Sequence, residues 1–204
     1  MNFDEKARNW DAEPERHERA AAVAEGIRRR IKLQGSMRAL EYGCGTGLLS
    51  FALQNDVGHI TLADNSPGML EVLKEKIASA GVQHMQPKYL DLQKDPLPVE
   101  RYDVIYTLLT LHHILDCQPI FHAFYHLLTP RGYLCVADLD KEDGTFHVDA
   151  FDGHHGFERK VLEGWVQKAG FVEVQFETIF QLKRMREGRE KHYPMFLMIA
   201  RRRE

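Results

Sequence analysis

Leu40-Glu41-Tyr42-Gly43-Cys44-Gly45-Thr46-Gly47 is the stretch on which the fold turns. Met37–Tyr42 before it reads as a short strand, and Leu48–Gln54 after it reads as a helix. Three glycines therefore stand where a strand becomes a helix. Glycine there lets the chain turn sharply and lets a ligand approach without meeting a Cβ. The free N–H groups of the helix start can serve a ligand's polar end. The spacing is GxGxG, and Leu48 occupies the place where a dinucleotide fingerprint has its third glycine. A pyrophosphate cradle is the weaker reading. His59–Ala63 is a second strand, ended by Asp64, where an acid can accept both hydroxyls of a ribose.

Outward from this unit the pattern repeats. Ser66-Pro67 is a helix start, with serine as N-cap and proline at the first helical position, and the helix runs to about Ala80 before Gly81. His84–Leu90, Tyr102–Leu108 and Gly132–Asp138 read as strands, Pro119–Leu128 and Glu158–Ala169 as helices. Phe171–Leu182 and Tyr193–Arg201 are β-rich runs forming a terminal antiparallel pair, joined by a charged connection containing Gly188. Residues 13–33 predict an amphipathic helix from Ala20, Val23, Ala24, Ile27 and Ile31, ended by Gly35. Residues 1–12 read as a polar lead holding Phe3 and Trp10. Strands alternating with helices imply parallel β-α-β units in a doubly wound sheet, within one domain spanning 1–204.

Composition narrows the function classes. The 204 residues hold 27 Lys+Arg against 30 Asp+Glu, a balance that argues against a chain devoted to coating nucleic acid. Cys44, Cys117 and Cys135 are too few and scattered for a disulfide framework, and no CxxC pair suggests zinc. Apolar stretches such as Val104–Leu111 are too short to cross a bilayer. With no signal-peptide core in the charged first residues, a cytoplasmic protein is expected.

The ordered segments LEYGCGTGLLS, LADNSPGML, YLDL, YDVIYTLLTLHHI and LLTPRGYLCVADLD resemble the class I S-adenosylmethionine-dependent methyltransferases, small-molecule type. The resemblance covers residues 37–139 and extends more loosely to the carboxyl end. It implies an α/β, Rossmann-like, mostly parallel seven-stranded sheet with a terminal antiparallel pair. It also implies an N-terminal helical lid over 1–33, a cofactor-binding core over 37–139, and a substrate-side loop, helix and strand pair over 140–204. The cofactor would be S-adenosylmethionine, leaving as S-adenosylhomocysteine. Glu41, Gly43 and Gly45 would surround its methionine end, and Asp64 would hold the ribose. Asn65 and Met69 would flank the adenine, Asp91 and Leu92 would meet its edge, and Leu108 and His112 would lie near the sulfonium. Trp10 would cover the cofactor from the lid, or simply staple the first helix to the core.

Five of the eleven histidines, His112, His113, His147, His154 and His155, fall after the fourth and fifth strands, on the edge where open α/β sheets bind ligands. Imidazole titrates near neutral pH, so His113, His154 and His155 are candidate general bases. Each could equally be a solvated loop residue. His122 and His126 share a helix face, but no ligand set accompanies them and no metal site is expected. Lys183, Arg184, Arg186, Arg189 and Lys191 read as a solvated hairpin loop, or as a patch for an acidic substrate or RNA. The expected reaction is methyl transfer to a small-molecule acceptor. The alternatives are a non-catalytic protein that binds the cofactor or its product and, further off, an RNA methyltransferase. The acceptor and the oligomeric state are not legible.

Overall fold

β1 (Arg38–Tyr42) lies inside a seven-stranded sheet, between β2 (His59–Asp64) and β4 (Tyr102–Leu108). The computed structural model describes residues 3–147 and 151–204; residues 148–150 of the 140–157 loop lie outside them. β3 (Met85–Tyr89), β5 (Leu128–Leu139), β6 (Phe171–Arg186) and β7 (Arg189–Arg202) complete the order β3-β2-β1-β4-β5-β7-β6. β1 to β5 run parallel, and β7 is antiparallel to both of its neighbours. The direction of winding reverses between β1 and β4, which opens a crevice beyond their carboxyl ends.

The central strands carry near-continuous apolar runs because both faces of the sheet are covered. On one face pack α2 (Pro14–Arg30), α3 (Leu48–Leu53) and α4 (Pro67–Ala80), through Val23, Ile27, Leu49 and Leu73. On the other pack α5 (Gln118–Leu127) and α6 (Arg159–Lys168), through Phe121, Phe124, Leu162 and Val166. Ser66 caps α4 by accepting from Met69 N at 3.2 Å, and Gly81 closes it in the left-handed region, as the sequence predicts.

Residues 3–12 are helical, as α1 (Phe3–Lys6) followed by a 3₁₀ turn (Ala7–Ala12), in keeping with the helical lid that the resemblance implies. Two expectations change. β5 begins at Leu128 rather than Gly132, with a register shift between Tyr102 and Val104 of its neighbour. The charged connection is strand: β6 and β7 stay paired out to Arg186 and Arg189, and only Glu187 and Gly188 turn, both with positive φ. Charge misleads there because the hairpin projects beyond the core and its side chains pair with neighbouring elements. Arg184 reaches Glu15 at 2.8 Å, Lys191 reaches Asp143 at 2.5 Å, and Arg186 donates to the carbonyls of Thr145 and Phe146.

Candidate functional site

The glycine loop is closed by its neighbours. Gly43, Gly45 and Gly47 all have positive φ (70°, 52° and 81°), a region that costs side-chain-bearing residues strain. A Cβ on Gly43 would sit 2.2 Å from Thr110 Cγ2, whereas one on Gly45 would meet nothing nearer than Trp10 Nε1 at 3.8 Å. Gly43 is thus required by the protein's own packing, while Gly45 turns its bare face toward a cavity. Asp64 ties the loop to β2: Oδ2 accepts from Gly45 N at 2.7 Å and Oδ1 from Ser66 N at 2.8 Å. Burial raises the Asp64 carboxyl above its ordinary range, and those two N–H groups oppose the rise.

The cavity encloses about 570 Å³. Its wall includes Trp10, Glu41, Gly43, Gly45, Asp64, Asn65, Met69, Leu108, His112 and His113. It also includes Phe3 of the lead, Arg184 and Arg186 of the basic stretch, and Arg16, Arg19, Leu109, Thr110 and Phe146, none of which the sequence marked as a site residue. Asp91 and Leu92 stand behind the wall, which Leu90 and Gln93 form instead. The Asp91 carboxylate is occupied by Gln93 N at 3.0 Å and Lys94 Nζ at 3.1 Å, which hold it below its usual range despite its burial.

Two of the three candidate bases are turned elsewhere. His154 points its Nε2 at the Leu115 carbonyl, 3.1 Å away, and stands against Phe157 and Trp165. His155 faces Glu142, with Nδ1 3.4 Å from Oε1. Neither lines the cavity, because the turn at Gly153 tucks the loop under the backbone of His112. His113 does line it, edge-on to Phe3, but burial pushes its imidazole down to about 3. His147 is likewise lowered, to about 4, and stacks on Phe151 at 3.7 Å.

Electrostatics divide the cavity. Glu41 is buried, bonded to Ser50 N at 3.1 Å and Ser50 Oγ at 2.5 Å, and desolvation pushes it up to about 8. Arg19, on the inward face of α2, is 8% exposed, and its Nε has no partner among the described residues. Burial and the neighbouring Arg16 and Arg184 lower it to about 10. Glu15 and Glu13 oppose that shift in part, and an anion reaching the buried Nε would offset more of the cost of desolvating the cation. Nothing in the spacing of α2 marked Arg19 apart from its basic neighbours.

The N-terminal segment is fastened across the cavity mouth. Asp4 Oδ1 accepts from Ser66 Oγ at 2.5 Å and Gly68 N at 2.8 Å. Asp11 accepts from Thr46 Oγ1 and from Lys76 Nζ, each at 2.5 Å. Phe3, next to the first anchor, and Trp10, next to the second, line the cavity, with the Arg16 guanidinium 3.6 Å over the Trp10 ring.

A family model described as a methyltransferase domain matches residues 33–186. The chain belongs to the methyltransferase-domain family. This methyltransferase chain is 32% identical, over 59% of its length, to a ubiquinone biosynthesis O-methyltransferase of Marinobacter nauticus, and covers 51% of that protein. It spans about half the length of the curated relatives it first matches. Among solved structures, a SAM-dependent methyltransferase from Aquifex aeolicus superposes with a TM-score of 0.71 at 18% identity, covering 97% of each chain. Phosphoethanolamine N-methyltransferase 2 of Haemonchus contortus, in complex with S-adenosyl-L-methionine, gives 0.72 at 15% identity over 89% of this chain and 52% of its own. The seven-stranded sheet with its reversed final pair is the class I methyltransferase fold. Among the described residues no helix is long and apolar enough to cross a membrane.

Proposed function

We propose that the cavity binds S-adenosylmethionine and that the chain directs its methyl group to a hydroxyl-bearing small molecule. The observation that carries this reading is the pairing, in one cavity, of the Asp64-tied glycine loop with Arg19, whose buried Nε has no hydrogen-bond partner among the described residues. A nucleoside joined to an amino acid presents a ribose to the first and a carboxylate to the second. The group fits: Gly45 leaves its face clear, and the buried Nε of Arg19 has no hydrogen-bond partner among the described residues. The O-methyltransferase names of the relatives favour oxygen as the accepting atom.

Asp64 retains acceptor capacity for the ribose hydroxyls, Asn65 and Met69 flank the base, and Trp10 closes over it. Glu41, Leu108 and His112 line the region toward the sulfur. When bound, the cofactor supplies a methyl group already activated by its sulfonium. The chain's own task is alignment, which can supply roughly 7–11 kcal/mol of the barrier, against about 10²–10⁴-fold from one general base. Phe3, Trp10 and Phe146 exclude water from the place of transfer and leave a partly aromatic wall for the acceptor.

The test is release of S-adenosylhomocysteine from S-adenosylmethionine across a panel of small hydroxyl acceptors. Acceptor-dependent release is expected. Tight cofactor binding with no release for any class of acceptor would instead make the chain a binding protein.

A further inference from the structure

His112 is held from three directions. It follows β4 on a short 3₁₀ turn (Leu111–His113), and β4 pairs with β5, bringing Asp138 alongside. His112 Nδ1 lies 2.6 Å from Asp138 Oδ1, and its backbone N–H donates to Oδ2 at 3.3 Å. Its carbonyl accepts from His154 N at 2.7 Å. The two side chains are 3% and 0% exposed. An ionised carboxylate only accepts, so Nδ1 carries the proton and the lone pair sits on Nε2. His112 is one of the residues lining the cavity, and Nε2 is its ring nitrogen not bonded to Asp138.

Among the described histidines, only this one combines a carboxylate on one nitrogen with a place on the cavity wall. His113 and His147 line the cavity, but neither has an acid bonded to it, and both are lowered by burial. His154 and His155 face away. The titratable groups nearest the pair among the described residues are His113 on the same turn, His147 on the loop after β5 and Cys117 at the start of α5, with Arg184 beyond His147 and Asp116 beyond Cys117. Among the described residues no second carboxylate pairs with the His112 ring.

We propose that His112 is the general base of this site and Asp138 its positioning residue. The accepting atom is then one that must lose a proton, an acidic hydroxyl or thiol rather than an amine. This rests on the methyl-transfer reading above. His112 Nε2 takes the acceptor's proton as the freed oxygen or sulfur lone pair bonds to the methyl carbon. The carbon–sulfonium bond breaks with its electron pair going to sulfur, giving a neutral thioether. Asp138 stabilises the imidazolium, which afterwards returns its proton to water.

The alternative is that the pair merely pins the turn, and the experiment separates the two. The full chain is assayed with S-adenosylmethionine and three probe acceptors: catechol, thiophenol and 1,2-diaminobenzene. Cofactor affinity is measured in parallel by calorimetry. His112→Asn and His112→Gly are expected to lose about 10²–10⁴-fold in kcat on the hydroxyl or thiol probe while keeping the cofactor Kd within a few-fold. Added imidazole is expected to restore part of the His112→Gly rate, which a pinning role would not allow. Asp138→Asn is expected to lower kcat, and His122→Asn, exposed on α5, to leave it unchanged. Wild-type turnover by His112→Asn, a loss confined to the cofactor Kd, or turnover of the diamine alone would overturn the assignment. So would no turnover of any probe by a chain that binds the cofactor, a result that leaves the cofactor site standing. Failure to bind the cofactor at all would instead remove the methyl-transfer reading itself.

Discussion

The backbone N–H of Gly45 donates to Asp64 Oδ2 across 2.7 Å, joining the loop after β1 to the end of β2. One carboxylate thereby shapes the loop and faces the cavity. Asp64→Ala removes both services. Hydrogen bonds to charged groups contribute about 1.5–3 kcal/mol each, so cofactor affinity is expected to fall by ten- to a hundredfold or more. Calorimetric titration with S-adenosylhomocysteine measures it, and unchanged affinity would remove Asp64 from the site.

Gly43 and Gly45 separate packing from binding. Gly43→Ala forces a Cβ to within 2.8 Å of Thr110 Cβ and adds strain at φ 70°, and is expected to cost about 2–4 kcal/mol of stability. Gly45→Ala meets no protein atom closer than 3.8 Å. It is expected to lose only about 1–2 kcal/mol to backbone strain while weakening cofactor binding sharply. Urea unfolding alongside calorimetry distinguishes the pair; equal stability losses with equal affinities would contradict it.

Asp11 fastens the N-terminal segment through Thr46 and Lys76. The ion pair is about one quarter exposed on each side, so its worth is discounted to about 1 kcal/mol or less. Asp11→Ala is therefore expected to speed cofactor release by a few-fold and to raise hydrogen exchange over residues 3–12. Stopped-flow fluorescence of Trp10 reads the first effect. An unchanged release rate would mean that the segment does not act as a lid.

Glu41 gives a pH signature with a definite sign. Its carboxyl titrates at about 8 in the folded chain against 4.5 unfolded. Between those values the unfolded state binds fewer protons than the folded one, so this group makes stability fall as pH rises. Glu41→Gln, which imitates the protonated acid, is expected to flatten that decline, so that its gain over wild type begins above about pH 4.5 and levels off near pH 8. Denaturant midpoints from pH 5 to 9 test it in the cofactor-free chain; parallel profiles would show that Glu41 is ionised when buried.

The sequence exposed whatever was local. The glycine turn, the Ser66 cap and Asp64 at a strand end each declare themselves within a few residues, and the parallel, doubly wound sheet follows from the alternation of strands with helices. Arg19 escaped because a buried cation on an amphipathic helix has the same pattern as a solvated one. His112 and Asp138 are 26 residues apart and meet only because β4 and β5 pair. His154 and His155 were misleading for the converse reason: they reach the correct edge of the sheet, and a turn at Gly153 rotates them off it. Only the outer part of the β6–β7 hairpin, residues 183–192, reads as a loop, because its charges are satisfied by Glu15, Asp143 and two loop carbonyls, partners that no local window contains.

The central claim is that one cavity reads a nucleoside at Asp64 and a carboxylate at Arg19. Calorimetry of the wild-type chain and Arg19→Gln with S-adenosylmethionine and S-adenosylhomocysteine tests it most directly. The expected result is one-to-one binding of both ligands by wild type and a tenfold or greater loss for both in Arg19→Gln, with the fold intact by circular dichroism. No saturable binding to the wild-type chain, or equal affinity in the variant, would contradict it.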